Sequence, residues 1–154
     1  METDGTVQIA SQVSGNLEKA TDDDWLKVEL KAGQIYAISV KGQASSEGTL
    51  LDPLLSLYDQ NGDLLVSNDD GGAETEPYIE FTPANDGSFF VSISSYGTDE
   101  TGLGTYLLEV TDLGPALTDD FSSDASTKSI LTFDERNSLT SVNGSLEFLG
   151  DVDW

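Results

Sequence analysis

Residues 24–41 read DWLKVELKAGQIYAISVK, and this stretch decides the fold class. Apolar residues occupy every second position of its first half, at Leu26, Val28 and Leu30, with charged residues between them. After a turn at 32–34, residues 36–40 alternate in the same way. Because successive side chains of a strand point to opposite faces, this period of two predicts two β-strands, each with one buried face.

The same pattern recurs as far as residue 112. Further short apolar runs lie at 54–58, 64–66, 78–81, 89–93 and 106–110, separated by turns rich in Gly, Asn and Asp. The dipeptide Asn61-Gly62 is typical of a tight hairpin turn, and no stretch before residue 113 keeps a helical apolar period for three turns. The sequence therefore predicts an all-β fold, an antiparallel, jelly-roll-like β-sandwich of about eight short strands.

The chain is strongly acidic. It carries 29 acidic and 6 basic side chains and no histidine, for a formal net charge of -23. Such a chain repels nucleic acid and anionic lipid, so neither is expected as a partner. Crowded carboxylates also repel one another, and a divalent cation would relieve that repulsion. The alternative is that the acidic residues serve solubility alone.

The chain lacks cysteine as well as histidine. Disulfides, thiolate metal sites and nucleophilic pairs of the Ser-His or Cys-His kind are therefore excluded. The apolar runs are too short to insert into a membrane. The composition therefore predicts a domain that is not an enzyme.

The amino-acid composition of the chain changes after the last alternating run of apolar residues. Residues 6–113 are predicted to form one module, and residues 114–128, rich in Ser, Thr and Asp, are predicted to form a linker. A second ordered segment is predicted at 129–154.

The end of the chain repeats a phrase from near its start. Residues 142–154, VNGSLEFLGDVDW, align without a gap on 13–25, VSGNLEKATDDDW. The matching positions are Val142, Gly144, Leu146, Glu147, Asp151, Asp153 and Trp154. A long fixed period is typical of tandem domains, so 129–154 is interpreted as the start of a second module. Alternatively, residues 142–149 add a strand to the first module or exchange with another molecule.

Five phrases of the sequence together resemble a known family over residues 13–112. They are DDDWLKVEL, AGQIYAISVKG, GTLLDPLLSLYDQNGDLLVSNDDGG, YIEFTPANDGSFFVSISSYG and GTYLLEV. In order and spacing they resemble the bacterial pre-peptidase C-terminal domain. The resemblance implies a non-catalytic, jelly-roll-like sandwich that is secreted or displayed on the bacterial cell surface. It also implies kinship with collagen-binding modules of collagenases and modules of repeat-built adhesins, some of which bind calcium.

Acidic and amide side chains are grouped where strands begin or end. The candidate calcium ligands are Asp22, Asp24, Asp52, Asn68, Asp69 and Asp70. Ca²⁺ takes six to eight hard oxygens at about 2.3–2.6 Å, and these side chains supply such oxygens. We hypothesise a Ca²⁺ ion that links the strand start at 22–24 to the loop at 68–70. The alternatives are a solvated strand start, an Asx-type turn at Asn68, and hydrogen bonding of Asp52 to nearby amides.

Three aromatic residues are candidates for ligand contact. Tyr96, at a strand end, is the strongest, and Trp25 and Tyr78 are the others; for Trp25 the alternative is packing within the sheet. The functional hypothesis is a calcium-stabilised extracellular binding or adhesion module that recognises a protein, a peptide or a glycan. The alternatives are a passive spacer in a tandem array and an accessory C-terminal domain of a secreted peptidase.

Overall fold

A computed structural model describes residues 5–19, 21–72, 74–96 and 102–116. These residues form nine strands in chain order. They are β1 (Gly5–Thr6), β2 (Ser11–Leu17), β3 (Asp24–Leu30), β4 (Gln34–Lys41), β5 (Pro53–Tyr58), β6 (Leu64–Asn68), β7 (Tyr78–Phe81), β8 (Gly87–Ser95) and β9 (Gly104–Pro115). The predicted linker and the repeated phrase at 142–154 lie outside the described residues, apart from the first three linker positions, 114–116.

The strands pair into two sheets, as the alternating sequence predicts. One sheet has five strands in the order β1-β3-β8-β5-β6, and the other has four in the order β2-β9-β4-β7. All pairings are antiparallel except that of β1 with β3. The all-β sandwich is thus confirmed, and β9 continues to Pro115, two residues past the predicted end of the module.

The core lies between the two sheets and is built from the alternating apolar positions. Leu26, Val28 and Leu30 of β3 are at most 6% exposed, and Ile38 and Val40 of β4 are fully buried. Their neighbours Lys27 and Glu29 form a salt bridge of 2.7 Å on the outer surface. Burying one face of each sheet is the main source of stability in such a sandwich. No described residue lies in a helix that could cross a membrane.

Two glycines show how closely the backbones approach. A Cβ atom on Gly42 would overlap the carbonyl oxygen of Leu50, and one on Gly48 would overlap that of Thr105. Leu50 N donates a hydrogen bond to the same Thr105 carbonyl at 3.0 Å. The segment 42–50 therefore folds back on itself and lies against the start of β9.

Candidate functional site

Two loops and the end of β8 meet at one end of the sandwich, which we call the loop end (residues 42–52, 69–72, 74–77, 95 and 96). Tyr96 N donates to the carbonyl oxygen of Asp52 at 2.9 Å. The Thr75 hydroxyl donates to the carbonyl oxygen of Leu51 at 3.0 Å. These bonds connect the β4–β5 loop to the β6–β7 loop and to the end of β8.

Three of the predicted calcium ligands lie in the loops of the loop end, and we call Asp52, Asp69 and Asp70 the acidic loop cluster. Partial burial raises the pKa of Asp52, and the negative charges of Asp70 and then Asp69 raise it further. Asp69 and Asp70 are therefore near enough to Asp52 for their charges to act on its carboxylate. The cluster is therefore a point of electrostatic repulsion that a bound cation would relieve.

Asn68 shapes the loop that carries two of these acids. Its Oδ1 accepts hydrogen bonds from Gly71 N at 2.6 Å and Tyr78 N at 3.1 Å. A Cβ on Gly71 would lie 2.6 Å from the carbonyl oxygen of Tyr78, so the turn tolerates no side chain there. The Asx-type turn, the alternative interpretation of Asn68, is thus present, and both acceptor positions of this oxygen are used.

Glu76 is the residue of the loop end that sequence reasoning missed. It is 5% exposed, and its Oε1 accepts hydrogen bonds from Gly42 N at 2.7 Å, Ser45 N at 2.9 Å and the Ser45 hydroxyl at 2.8 Å. Burial acts to raise the pKa of Glu76, but these three bonds and the charge of Lys41 outweigh burial and hold it below its usual value. One glutamate carboxylate thus fixes the β4–β5 loop to the β6–β7 loop.

The strand-start acids lie elsewhere. Asp22 Oδ2 accepts a hydrogen bond from Glu18 N at 3.2 Å, and Asp24 Oδ2 accepts one from the Tyr106 hydroxyl at 2.6 Å. Burial, followed by this bond to Asp24, raises the pKa of Tyr106. Both aspartates therefore have structural partners in the first module.

The register of the five-stranded sheet separates the two groups of candidate ligands. Asp24 pairs with Ile93, Ile93 with Leu55, and Leu55 with Asn68. Three strand spacings amount to about 14 Å, too far for one ion to bridge. The structure therefore does not join the strand start to the loop at 68–70. Within the described ranges, no three acidic side chains are arranged to hold a metal ion.

The three candidate aromatic residues have different surroundings. At the loop end, Tyr96 is 62% exposed and Leu51 is 43% exposed. The ring of Trp25 packs at a tilt against that of Tyr58, with ring centroids 4.6 Å apart, which matches the alternative of packing within the sheet. The Tyr78 hydroxyl donates to Glu80 Oε1 at 2.8 Å, and this bond raises the pKa of Tyr78. Tyr96 is thus the candidate that lies open to a ligand.

Comparison with known proteins identifies the type of domain. Residues 22–95 match the model of the bacterial pre-peptidase C-terminal domain. The pre-peptidase C-terminal domain of a collagenase from Bacillus anthracis is similar in structure, with a TM-score of 0.51 and 17% identity over 69% of this chain and 92% of that chain. No curated protein matches the sequence.

Two further solved structures show a weaker likeness. The surface-associated copper-binding protein CorA of Methylomicrobium album BG8 has a TM-score of 0.49 and 13% identity over 70% of this chain and 98% of that chain. PliG of Aeromonas hydrophila, a periplasmic inhibitor of g-type lysozyme, has a TM-score of 0.45 and 12% identity over 69% of this chain and 96% of that chain. At such identities the likeness concerns the fold alone.

Proposed function

Since residues 22–95 belong to the bacterial pre-peptidase C-terminal domain family, whose members are non-catalytic accessory domains, we propose that this chain is a binding module that uses its loop end. It acts outside the cytoplasm, in a secreted protein or on the cell surface. Its partner is a protein, a peptide or a glycan. The chain performs no catalysis of its own.

One observation carries this proposal: large apolar side chains are exposed next to the acidic loop cluster. Tyr96 lies next to Asp52, since Tyr96 N donates to the carbonyl oxygen of Asp52, and Leu51, the residue before Asp52, is exposed as well. Aromatic residues are enriched at binding surfaces because their rings supply contact area, and charges near them help to orient a partner. A passive spacer has no use for such a surface.

Calcium forms the second part of the proposal. The repulsion that Asp70 and Asp69 exert on the Asp52 carboxylate supports a cation at this place. Such an ion would take carboxylate oxygens of the cluster together with water, as Ca²⁺ commonly does, and extracellular sites of this kind have dissociation constants of about 10⁻⁴–10⁻³ M. Asn68 shapes this site through its Asx-type turn.

Calcium is expected to raise the melting temperature of the chain, and magnesium is not. With about 10 mM Ca²⁺ and a dissociation constant of about 1 mM, mass action adds about 1.4 kcal/mol to the free energy of unfolding. For a domain of this size that corresponds to about 5 °C or more. Thermal melts in excess chelator, in calcium and in magnesium measure the difference.

The variant Asp70→Asn gives the sharper form of this test. In chelator it should melt at or slightly above the wild-type temperature, because it removes a charge that acts on Asp52. In calcium it should lose more than half of the wild-type increase. Asp63→Asn removes the same charge from the far end of β5 and should keep the whole increase. If calcium and magnesium raised the melting temperature equally, or if both variants lost the same part of the calcium-dependent increase, the metal would act only by general charge screening.

Ligand binding at the loop end is expected to depend on Tyr96. Against immobilised matrix proteins, unfolded proteins and glycans, Tyr96→Ala should weaken any specific binding by about tenfold or more, as loss of a central aromatic contact does. Leu113→Ala is the control, because Leu113 is also exposed, at 51%, but lies near the end of β9, on another part of the surface. If both variants bind like the wild type, the spacer or the peptidase-accessory role becomes the better proposal.

A further inference from the structure

A concave site lies at the end of the sandwich opposite to the loop end. A cavity of about 280 Å³ opens between the β5–β6 turn and the β7–β8 turn, and we call it the turn-end cavity. The lining residues that matter most are Asp59, Leu65, Phe81, Asp86 and Phe89. Since β8 spans this distance with nine residues, the turn-end cavity and the loop end are about 27 Å apart.

One part of the cavity wall is apolar, and Gln60, Asn85 and Ser88 line other parts of it. Phe81 and Phe89 pack edge to face with ring centroids 5.4 Å apart. Leu65 is placed by a β-bulge: Leu57 pairs with Val66 and Tyr58 pairs with Leu64, so Leu65 has no residue opposite it on β5. Bulges redirect a side chain in this way, and Leu65 lines the cavity while remaining 43% exposed.

The charges at the cavity are all negative. Asp59 accepts backbone hydrogen bonds, the one from Asp63 N foremost, and these hold the pKa of Asp59 below its usual value. Asp86 Oδ1 accepts a hydrogen bond from Ala32 N at 2.8 Å, which fixes the β7–β8 turn to the β3–β4 turn. No lysine or arginine lines the cavity, and in the described part of the chain neither carboxylate takes part in a salt bridge.

The size and the chemistry of the turn-end cavity together indicate which ligand it binds. Pockets for small molecules begin at about 300 Å³, so this cavity has room for little more than one side chain. Two aromatic rings, a leucine and two carboxylates suit an arginine. Its apolar stem covers Leu65, its guanidinium is attracted to the ring faces, and its N–H groups match carboxylates.

The neighbouring strand offers the backbone of a partner a place to bind. β6 is the last strand of the five-stranded sheet within the described residues, and Leu64 on it is 56% exposed. Edge strands of this kind accept an extended segment that pairs with their open backbone groups. An added strand beside β6 would run past the mouth of the turn-end cavity, which Leu65 of the same strand lines.

We propose that the turn-end cavity binds an arginine side chain of an extended segment of a partner protein, and that this segment pairs with β6. The cavity wall supplies selectivity for the arginine, and the strand supplies affinity that is independent of sequence. This site involves neither Tyr96 nor the acidic loop cluster. A test of the turn-end cavity is therefore independent of any test of calcium or ligand binding at the loop end.

The test titrates the full chain with the acetylated and amidated pentapeptide Thr-Val-Arg-Val-Thr and follows backbone amide shifts by NMR. We expect shifts confined to β6 and the two turns, with a dissociation constant of about 1 mM or below. A peptide with citrulline in place of arginine keeps the shape and loses the charge, and it should bind about tenfold more weakly. The lysine peptide should fall between the two, because an ammonium group lacks the planar fork.

Two variants with the same change of charge locate the site. Asp86→Asn keeps the acceptor for Ala32 N and should weaken binding of the arginine peptide about tenfold. Asp63→Asn alters the same end of the molecule without touching the cavity lining and should change binding less than about twofold. Phe81→Leu, which keeps the wall apolar, should also weaken binding because it removes a ring face.

Three results would overturn the proposal. They are equal binding of the arginine and citrulline peptides, equal weakening by Asp86→Asn and Asp63→Asn, and no shifts at about 5 mM peptide, five times the expected dissociation constant. Melting curves of each variant, measured alongside, separate loss of binding from loss of fold. A result confined to the loop end would support the proposed function and reject this second site.

Discussion

Replacing Tyr106 by Ala is expected to lower the free energy of unfolding by about 3–5 kcal/mol, as truncation of a buried aromatic side chain does. In a domain of this size the melting temperature should fall by more than about 12 °C. Tyr106 is 3% exposed and belongs to β9 of the four-stranded sheet. Chemical unfolding of the variant and the wild type at neutral pH measures the difference.

The size of the effect follows from what the side chain connects. The ring lies against Gly15 of β2, so closely that a Cβ atom on Gly15 would fall within it. The hydroxyl donates to Asp24 Oδ2 of β3, in the other sheet, at 2.6 Å. One tyrosine thus covers a glycine in its own sheet and joins the two sheets through a hydrogen bond. Tyr106→Phe, which removes only the hydroxyl, should cost about 1–3 kcal/mol.

A double-mutant cycle separates this contact from general damage to the core. Gly15→Ala should destabilise by about 1–3 kcal/mol in the wild type, because the ring must move to admit the new methyl group. In the Tyr106→Ala background the same change should cost close to nothing, since the ring is gone. Gly87→Ala is the control: a Cβ atom there meets nothing within 4 Å, so the change should be neutral or slightly stabilising. Additive costs at Gly15 and Tyr106 would contradict the contact.

The same contact explains which strands the sequence predicts and which it does not. β3, β4, β8 and β9 show clear alternation because each presents apolar side chains to the core. β2 turns Val13, Gly15 and Leu17 towards the core side of its sheet, and Gly15 carries no side chain because Tyr106 fills the place. The period of two is therefore interrupted in the sequence of β2. β1 is only two residues long and pairs in parallel, which leaves no periodic pattern to detect.

The candidate site was harder to predict than the fold, and register is the reason. Composition marks Asp24 and Asp70 equally as possible ligands, because both lie in runs of acidic residues. Only the order β3-β8-β5-β6 shows that the first of these runs is three strands away from the second. Glu76 is the reverse case: its partner Gly42 is 34 residues away in the chain, and nothing in the sequence distinguishes Glu76 from Glu74 in the same loop.

The repeated phrase at the end of the chain gains meaning from the first module. The positions that recur in 142–154 include the counterparts of Gly15, Asp24 and Trp25. In the first module Gly15 lies under the ring of Tyr106, and Asp24 accepts a hydrogen bond from the Tyr106 hydroxyl. Trp25 packs against Tyr58. The counterparts of Leu17, which is 1% exposed, and of Asp22, which accepts a bond from Glu18 N, recur as well. Residues 142–154 lie outside the described residues, so the start of a second module there stays a prediction.

Glu76→Ala is expected to have the second large effect, a loss of about 3 kcal/mol at neutral pH. The carboxylate accepts three hydrogen bonds, and its removal leaves the buried N–H of Gly42 without its partner. Bonds to charged groups contribute about 1.5–3 kcal/mol each and do not simply add. Glu76→Gln keeps one carbonyl oxygen and should lose less, about 1–2 kcal/mol. Urea unfolding of both variants provides the values.

The matched control is a glutamate two residues earlier. Glu74 is exposed in the same loop, so Glu74→Gln removes the same charge without removing a buried acceptor. Its free energy of unfolding should stay within about 0.5 kcal/mol of the wild type. Equal losses in Glu74→Gln and Glu76→Gln would assign the effect to net charge and not to the bonds with Gly42 and Ser45.

The dependence on pH identifies the ionised carboxylate as the cause. Because the pKa of Glu76 is lower in the folded state than in the unfolded state, its ionisation favours folding above the unfolded pKa, near 4.5. That contribution disappears as the pH falls through the folded pKa. The gap in stability between the wild type and Glu76→Gln should therefore be full at pH 7 and shrink as the pH falls below the unfolded value. A gap that stayed constant down to acid pH would mean that shape alone, without charge, holds the two loops together, and the loop end would then owe its rigidity to packing.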